Sequence, residues 1–155
     1  PCRIRVLAKA LATANTSVMP KSQTPQTRLP AEEQWRMRVQ AAEETVKKII
    51  ARLPAELRPH ASAIQLVFER RPSKALCRSG VEPDTLGLFE GNSFPDEATS
   101  NNPVPRRMLL FLDVIWEEAE SDWTCFREEV RITYLHELGH YLGLEEDDLQ
   151  DRDLE

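Results

Sequence analysis

The longest periodic pattern of apolar residues lies between residues 31 and 53. Apolar side chains recur there at steps of three and four, at Trp35, Val39, Ala42, Val46, Ile49 and Leu53. This spacing places them on one face of an α-helix, with charged residues on the other. Pro30 and Pro54 flank the segment, as is typical of helix boundaries. The pattern therefore predicts a long helix over 31–53 that packs against the core.

Three short apolar runs further along the chain predict β-strands. They cover residues 64–68, 86–89 and 108–112, and the last of them is the most strongly apolar. The polar stretch over residues 93–105 is rich in Asn and Pro towards its end, so it predicts a loop between the second and third strands.

A second long helix is predicted near the end of the chain, after a short helical turn over residues 113–120. We expect Ser121 or Asp122 to cap its first turn with a side-chain oxygen, and the helix to run to about Leu142. Gly143 follows, as glycine commonly does just past a helix end. The mixture of elements predicts an α+β fold, with a small sheet packed against the two long helices.

Residues 1–30 differ in composition from the remainder of the chain. They hold five bases and no acid, with scattered Ser, Thr, Gln and Pro. Such a segment buries too little apolar surface to fold by itself. We therefore expect a disordered or loosely attached extension over 1–30 and a single domain over 31–155, because 155 residues suffice for one core but not for two.

The distribution of charge, the length of the apolar runs and the number of cysteines indicate which partners and which compartment to expect. Residues 113–155 hold 15 acids and 3 bases, whereas residues 1–112 hold 11 acids and 17 bases. The acidic C-terminal third repels phosphate, which speaks against a nucleic-acid partner. No apolar run approaches the roughly 20 residues that cross a bilayer, so we expect no membrane partner. The three widely spaced cysteines predict free thiols and a cytoplasmic location.

The second long helix carries the sequence His136-Glu137-Leu138-Gly139-His140. Residues four apart lie on one face of a helix, so both imidazoles can bind one metal ion. Glu137 lies one step round the helix, where it can reach a water on that metal without being a ligand. The HExxH pattern thus supplies two histidine ligands and a general base, and zinc is the metal that suits these groups.

A third ligand is expected shortly after the second histidine. In the extended pattern HExxHxxGxxH, the chain turns at the glycine and the last residue returns to the metal. Gly143 occupies the glycine position here, and Glu146 stands where the third ligand would be. We therefore predict zinc bound by His136, His140 and Glu146, with Asp147 and then Glu145 as alternatives to Glu146. No methionine follows the motif in this sequence, so the Met-turn of metzincins is missing.

The residues around the motif resemble a known family. The run Val-Arg-Ile-Thr-Tyr-Leu-His-Glu-Leu-Gly-His-Tyr-Leu-Gly-Leu at residues 130–144 looks like the small bacterial zincin-like metallopeptidases, which are predicted zinc proteases with a minimal metalloprotease-like domain. The segment Leu-Gly-Leu-Phe-Glu-Gly at residues 86–91 is similar to their upstream motif LxGLYEG. The resemblance covers residues 31–149 and implies a compact α+β fold with an acidic third ligand. Many members have Asp where this chain has Glu146.

These residues favour a zinc-dependent metallopeptidase that acts on a peptide or protein substrate. Glu137 would take a proton from the zinc-activated water and deliver it to the leaving amine. Met108–Leu112 would hold an extended peptide as an edge strand. The alternative is a zinc-binding interaction module with little or no catalytic activity. The small size of the chain favours that alternative, whereas the presence of Glu137, which zinc binding does not need, speaks against it.

Several other side chains are candidates for lesser roles. Asp113 or Glu129 could hold the far nitrogen of a zinc-bound histidine. Tyr134 and Tyr141 could stabilise an oxyanion, although packing is the commoner role of helical tyrosines. We expect His60 to be a surface residue. Trp116 and Trp123 are expected to be packing residues.

Overall fold

The computed structural model describes residues 29–94 and 105–144, which form helices and a small sheet. The elements, in chain order, are α1 (Ala31–Arg52), α2 (Arg58–Ser62), β1 (Gln65–Glu69), α3 (Lys74–Arg78), β2 (Gly87–Glu90), β3 (Arg107–Phe111), α4 (Leu112–Glu118) and α5 (Trp123–Tyr141). This arrangement confirms the predicted α+β fold. The predicted extension over 1–30 lies almost wholly outside the described residues, as does most of the predicted loop over 93–105.

The three strands form one sheet in the order β1-β3-β2. Strand β3 pairs in parallel with β1 and antiparallel with β2. The expectation of an edge strand at Met108–Leu112 is therefore wrong, because both sides of β3 are hydrogen-bonded to neighbours. The apolar side chains of β3 reflect this central position, since four of its five residues are buried.

The two faces of the sheet pack against different elements. Met108 and Leu110 of β3 belong to the main core, which the two long helices also line. Leu109 and Phe111 point to the opposite face, where they pack with Val114 in a smaller cluster. This alternation follows from the period of two along a strand. Both faces of the central strand are thus removed from water.

Helix α1 packs along α5 and supplies one wall of the main core. Its buried residues are Ala41, Ala42 and Val46, which lie on one face at helical spacing. The small alanine side chains allow the two helix backbones to approach closely. The prediction of a long helix over 31–53 is confirmed within one residue.

Two short helices were not predicted. Helix α2 has Pro59 in its first turn, where the missing N–H costs nothing. Helix α3 begins after Ser73, whose hydroxyl accepts a hydrogen bond from the Leu76 N–H at 3.2 Å. Each is only five residues long, too short to show a helical period. Within residues 29–94 and 105–144, no helix combines the length and the apolar character that crossing a membrane requires.

The central position of β3 leads to a stability prediction. Leu110 is 0% exposed, so Leu110→Ala should lower the free energy of unfolding by about 3 kcal/mol through lost burial and the cavity left behind. Met37 on α1 is 40% exposed, so Met37→Ala should change that free energy by less than about 0.5 kcal/mol. Chemical denaturation followed by circular dichroism measures both values. Equal effects of the two substitutions would contradict the assignment of β3 to the core.

Candidate metal centre

Both ends of helix α5 are capped by specific hydrogen bonds. At its start, the Asp122 carboxylate accepts bonds from the N–H groups of Thr124 (2.8 Å) and Cys125 (2.9 Å), which lower the pKa of Asp122. At its end, the Gly143 N–H donates to His140 O and the Leu144 N–H donates to Gly139 O. Gly143 has φ +83°, so these bonds form a Schellman motif that needs glycine. The predicted cap and the predicted end of the helix are both confirmed.

The last two turns of α5 bring the two histidines together. The Nε2 atoms of His136 and His140 lie 2.9 Å apart. Their ring centroids are 4.6 Å apart and their planes stand at 83° to each other. Both side chains are half-buried. One nitrogen from each ring is therefore in contact with the other ring's nitrogen, on the same face of the helix.

The Glu137 side chain lies between the helix and the sheet. It is only 8% exposed, and its Oε2 accepts a hydrogen bond from the Phe89 N–H of β2 at 2.8 Å. A charge-assisted bond of this kind offsets part of the cost of removing a carboxylate from water. Strand β2 therefore supplies a backbone donor for the acidic residue of the motif.

Strand β2 can approach α5 this closely because it has no side chain at Gly87. A Cβ at this position would lie 2.6 Å from Thr133 Cγ2, 2.9 Å from Glu137 Cγ and 3.0 Å from Glu137 Oε1. The first two distances are shorter than real Cβ contacts, and the third is tighter than most of them. Gly87 is thus required for β2 to pack against the HExxH turn of α5.

Comparison with known proteins agrees with this arrangement. The family model described as zincin-like metallopeptidase matches residues 61–155, a range that holds both the Gly87 strand and the HExxH helix. The chain belongs to the zincin-like metallopeptidase family. No curated protein matches it. Helix α1 precedes the matched range, although it lines the same core.

An aromatic cluster surrounds Tyr141, the residue that follows His140 in this zincin-like domain. Tyr141 is fully buried, contacts the Phe89 and Phe94 rings, and accepts a hydrogen bond from Arg106 at 3.1 Å. His60 lies edge-on to Phe94, with ring centroids 4.3 Å apart. His60 is therefore part of a packed cluster and not simply a surface residue.

The other aromatic candidates are packing residues. Burial raises the pKa of Tyr134 to about 12, and its hydroxyl has no hydrogen-bond partner among the described residues. A phenol buried in this way is poorly placed to stabilise an oxyanion at the surface. Trp116 and Trp123 contact each other and Phe126 beside the main core, which confirms their predicted packing role.

The two carboxylates predicted to support a histidine lie in different surroundings. Asp113 instead forms ion pairs with Arg38 at 2.5 Å and Arg70 at 3.6 Å. It therefore ties α4 to α1 and to the end of β1. Burial raises the pKa of Glu129, and repulsion from Glu118 and Glu128 raises it further. A support role for Glu129 stays a prediction.

The predicted third ligand lies outside the described residues. Glu146, Asp147 and Glu145 all follow Leu144, the last residue of the second described range. Across residues 29–94 and 105–144, no group of three or more His, Cys, Asp or Glu side chains is arranged to hold a metal ion. The described part of the site thus consists of two histidine donors and the neighbouring Glu137.

The surroundings of Glu129 lead to a pH-dependent prediction. A carboxyl group whose pKa is raised by folding binds its proton more tightly in the folded state, so stability falls as pH rises above the ordinary value of 4.5. Glu129→Gln removes this ionisation. It should therefore raise the free energy of unfolding at pH 7 relative to the unsubstituted protein. The difference should shrink as pH falls towards 4.5 and be nearly gone at pH 4.

Urea denaturation at pH 4 and pH 7 measures this difference. Glu56 is exposed, and Glu56→Gln serves as the control that should show little change at either pH. A loss of stability at pH 7 in Glu129→Gln would indicate that the Glu129 carboxylate makes a favourable interaction instead.

Proposed function

We propose that the chain is a zinc-dependent metallopeptidase in which His136, His140 and Glu146 bind zinc and Glu137 is the general base. The observation that carries the proposal is the convergence of the two Nε2 atoms at 2.9 Å beside a nearly buried carboxylate. Membership of the zincin-like metallopeptidase family supports the same reading. A pair of histidines alone would support metal binding, whereas Glu137 adds a base.

The donor set fits zinc. Imidazole nitrogens and a carboxylate oxygen are donors that zinc accepts. The Nε2 atoms of His136 and His140 lie 2.9 Å apart, so both would be able to hold the same ion.

The end of α5 supports an acidic third ligand close in sequence. The Schellman motif turns the chain at Gly143, immediately after the turn that carries His140. At Leu144 the chain has left the helix. Glu146 is the proposed ligand because it stands three residues after the glycine, and Asp147 is the alternative.

In the proposed hydrolysis, the metal and the side chains of the protein have different tasks. When bound, zinc supplies a Lewis acid that lowers the pKa of a coordinated water toward ~7 and polarises a carbonyl group. Glu137 accepts a proton from water and transfers it to the leaving amine. The bond from the Phe89 N–H holds one carboxylate oxygen of Glu137 while this occurs. An extended peptide would run beside β2, which is the edge strand of the described sheet that contacts α5, while the Phe89 N–H stays bound to Glu137.

The functional domain is proposed to span residues 31–155. The matched family range begins at residue 61, but the buried face of α1 packs in the same core as β3 and α5. Removing α1 would expose that core to water. Residues 1–30 are proposed to be an extension that the zinc site does not need.

Zinc content tests the ligand assignment. The purified chain, supplied with zinc and then dialysed, should hold one zinc ion by elemental analysis. His136→Ala and Glu146→Ala should each lower the zinc affinity by at least ~10-fold, because each removes a direct ligand. Asp147→Ala is the matched control and should keep the affinity. The reverse result for the two acidic positions would assign the third ligand to Asp147, and no zinc uptake by the unsubstituted chain would overturn the enzyme proposal.

Turnover of a pool of quenched fluorescent peptides tests the role of Glu137. Glu137→Gln keeps the size and polarity of the side chain but cannot accept the proton, so the rate should fall by ~10²–10⁴-fold while zinc content stays at one per chain. A zinc-loaded chain that cleaves no peptide in a diverse pool would favour the alternative, a zinc-binding interaction module. Full activity in Glu137→Gln would remove Glu137 from the mechanism.

A further inference from the structure

The hydrogen bond between Phe89 and Glu137 occurs on the side of β2 that faces away from β3. The Phe111 N–H of β3 donates to Leu86 O, and antiparallel strands alternate hydrogen-bonded and non-hydrogen-bonded pairs. The backbone groups of Leu88 and Glu90 therefore point towards β3, and those of Gly87 and Phe89 point outward. The outward N–H of Phe89 is the group that binds Glu137 Oε2, at 2.8 Å.

The side chains of alternate residues on β2 face the helix. Gly87 pairs with Leu110 and Phe89 pairs with Met108, and both partners belong to the main core shared with α5. Gly87 is buried, and the space over its Cα is filled by Thr133 and by Glu137. Residue 87 thus determines how closely the strand and the HExxH turn can approach.

We propose that Gly87 is a positioning residue for Glu137. The missing side chain sets the separation of β2 and α5 at which the Phe89 N–H holds Oε2, while Oε1 lies above Gly87. This role rests on the proposed function in one respect, because the proposed function assigns Glu137 as the base. The contact itself is a property of the protein without zinc.

A methyl group at position 87 would clash with two side chains, Thr133 and Glu137. Mutation can remove one clash and leave the other. Its closest contact would be Thr133 Cγ2 at 2.6 Å, and a β-branched threonine in a helix has little freedom to rotate away. The next contacts would be with Glu137, whose Cγ and Oε1 lie at 2.9 and 3.0 Å. Thr133→Ser removes Cγ2 and leaves Glu137 unchanged. The double variant Gly87→Ala/Thr133→Ser therefore relieves the first clash and keeps the second.

Hydrogen exchange of the Phe89 amide in the zinc-free full chain is the first measurement. A hydrogen-bonded amide exchanges more slowly than an open one, so this amide should be protected in the unsubstituted chain and in Thr133→Ser. Protection should fall by at least ~10-fold in Gly87→Ala/Thr133→Ser and in Glu137→Ala. Glu137→Gln should keep it, because the side-chain amide oxygen can accept the same bond.

Catalysis gives the second measurement, on the zinc-loaded chain with the peptide pool. Relative to Thr133→Ser, the double variant should lose about 100-fold in kcat, the effect expected of a misplaced catalytic group. The zinc affinity should change little, because the histidines are untouched. A defect that was only a loss of folding would instead lower the fraction of active protein and leave the kcat of the folded fraction unchanged.

The outcomes separate this proposal from the proposed function. Equal Phe89 protection and equal kcat in the double variant and in Thr133→Ser would overturn the role of Gly87, even if the chain is an active zinc peptidase. If the chain binds no zinc or cleaves no peptide, the exchange data alone decide whether Gly87 positions the carboxylate.

Further variants test the proposal if the double variant does not fold. If Gly87→Ala/Thr133→Ser does not fold, Gly87→Ala is placed in the Thr133→Ser/Glu137→Ala chain, which also lacks Glu137 Cγ and both carboxylate oxygens. Recovery of a cooperative melting transition there would show that the methyl group acts on Glu137. Continued failure to fold, with Thr133→Ser/Glu137→Ala itself folded, would overturn the proposal.

Discussion

Strand β2 and helix α5 lie so close together that no side chain fits between them at Gly87. Several features of the site depend on this contact. It brings an outward-facing backbone N–H to the Glu137 carboxylate, and it removes that carboxylate from most of the surrounding water. A carboxylate in such a place needs a donor to remain stable. The backbone N–H of Phe89 provides such a donor.

The elements around this contact hold it in place from both sides. Strand β2 is hydrogen-bonded to β3, whose two faces are buried, and α5 is packed along α1. The Asp122 cap and the Schellman motif fix the two ends of α5. The histidine pair and Glu137 are therefore carried by an element that is supported along its whole length. Such support suits the site proposed above, in which Glu137 must stay aligned with the two histidines.

Much of this fold could be predicted from the sequence, because long elements have a clear period. The apolar positions of α1 and the caps of α5 were sufficient to place both helices, and the spacing of His136 and His140 was sufficient to predict their meeting. The place of β3 in the sheet was predicted wrongly, since a single strand does not reveal its neighbours. Its unbroken apolar run was the available signal, because strands buried on both faces read in that way.

The contacts between distant residues could not be predicted in the same way. Asp113 is close in sequence to the end of β3, but its partner Arg38 lies 75 residues away on α1. The tight fit at Gly87 was visible only as a family motif, since the residues that fill the space over it belong to α5. The third ligand stays a prediction, because Glu146 lies beyond the described residues.

The separation of the two partners in the Phe89–Glu137 bond has a consequence for how the protein matures. They are 48 residues apart, whereas the two histidines are four residues apart on one helix. Local structure forms faster than contacts between distant parts of a chain, because closing a long loop costs entropy. In a partly folded chain the two histidines can therefore meet before the Glu137 carboxylate has its backbone donor. The Phe89 N–H reaches that carboxylate only once β2 has docked on α5.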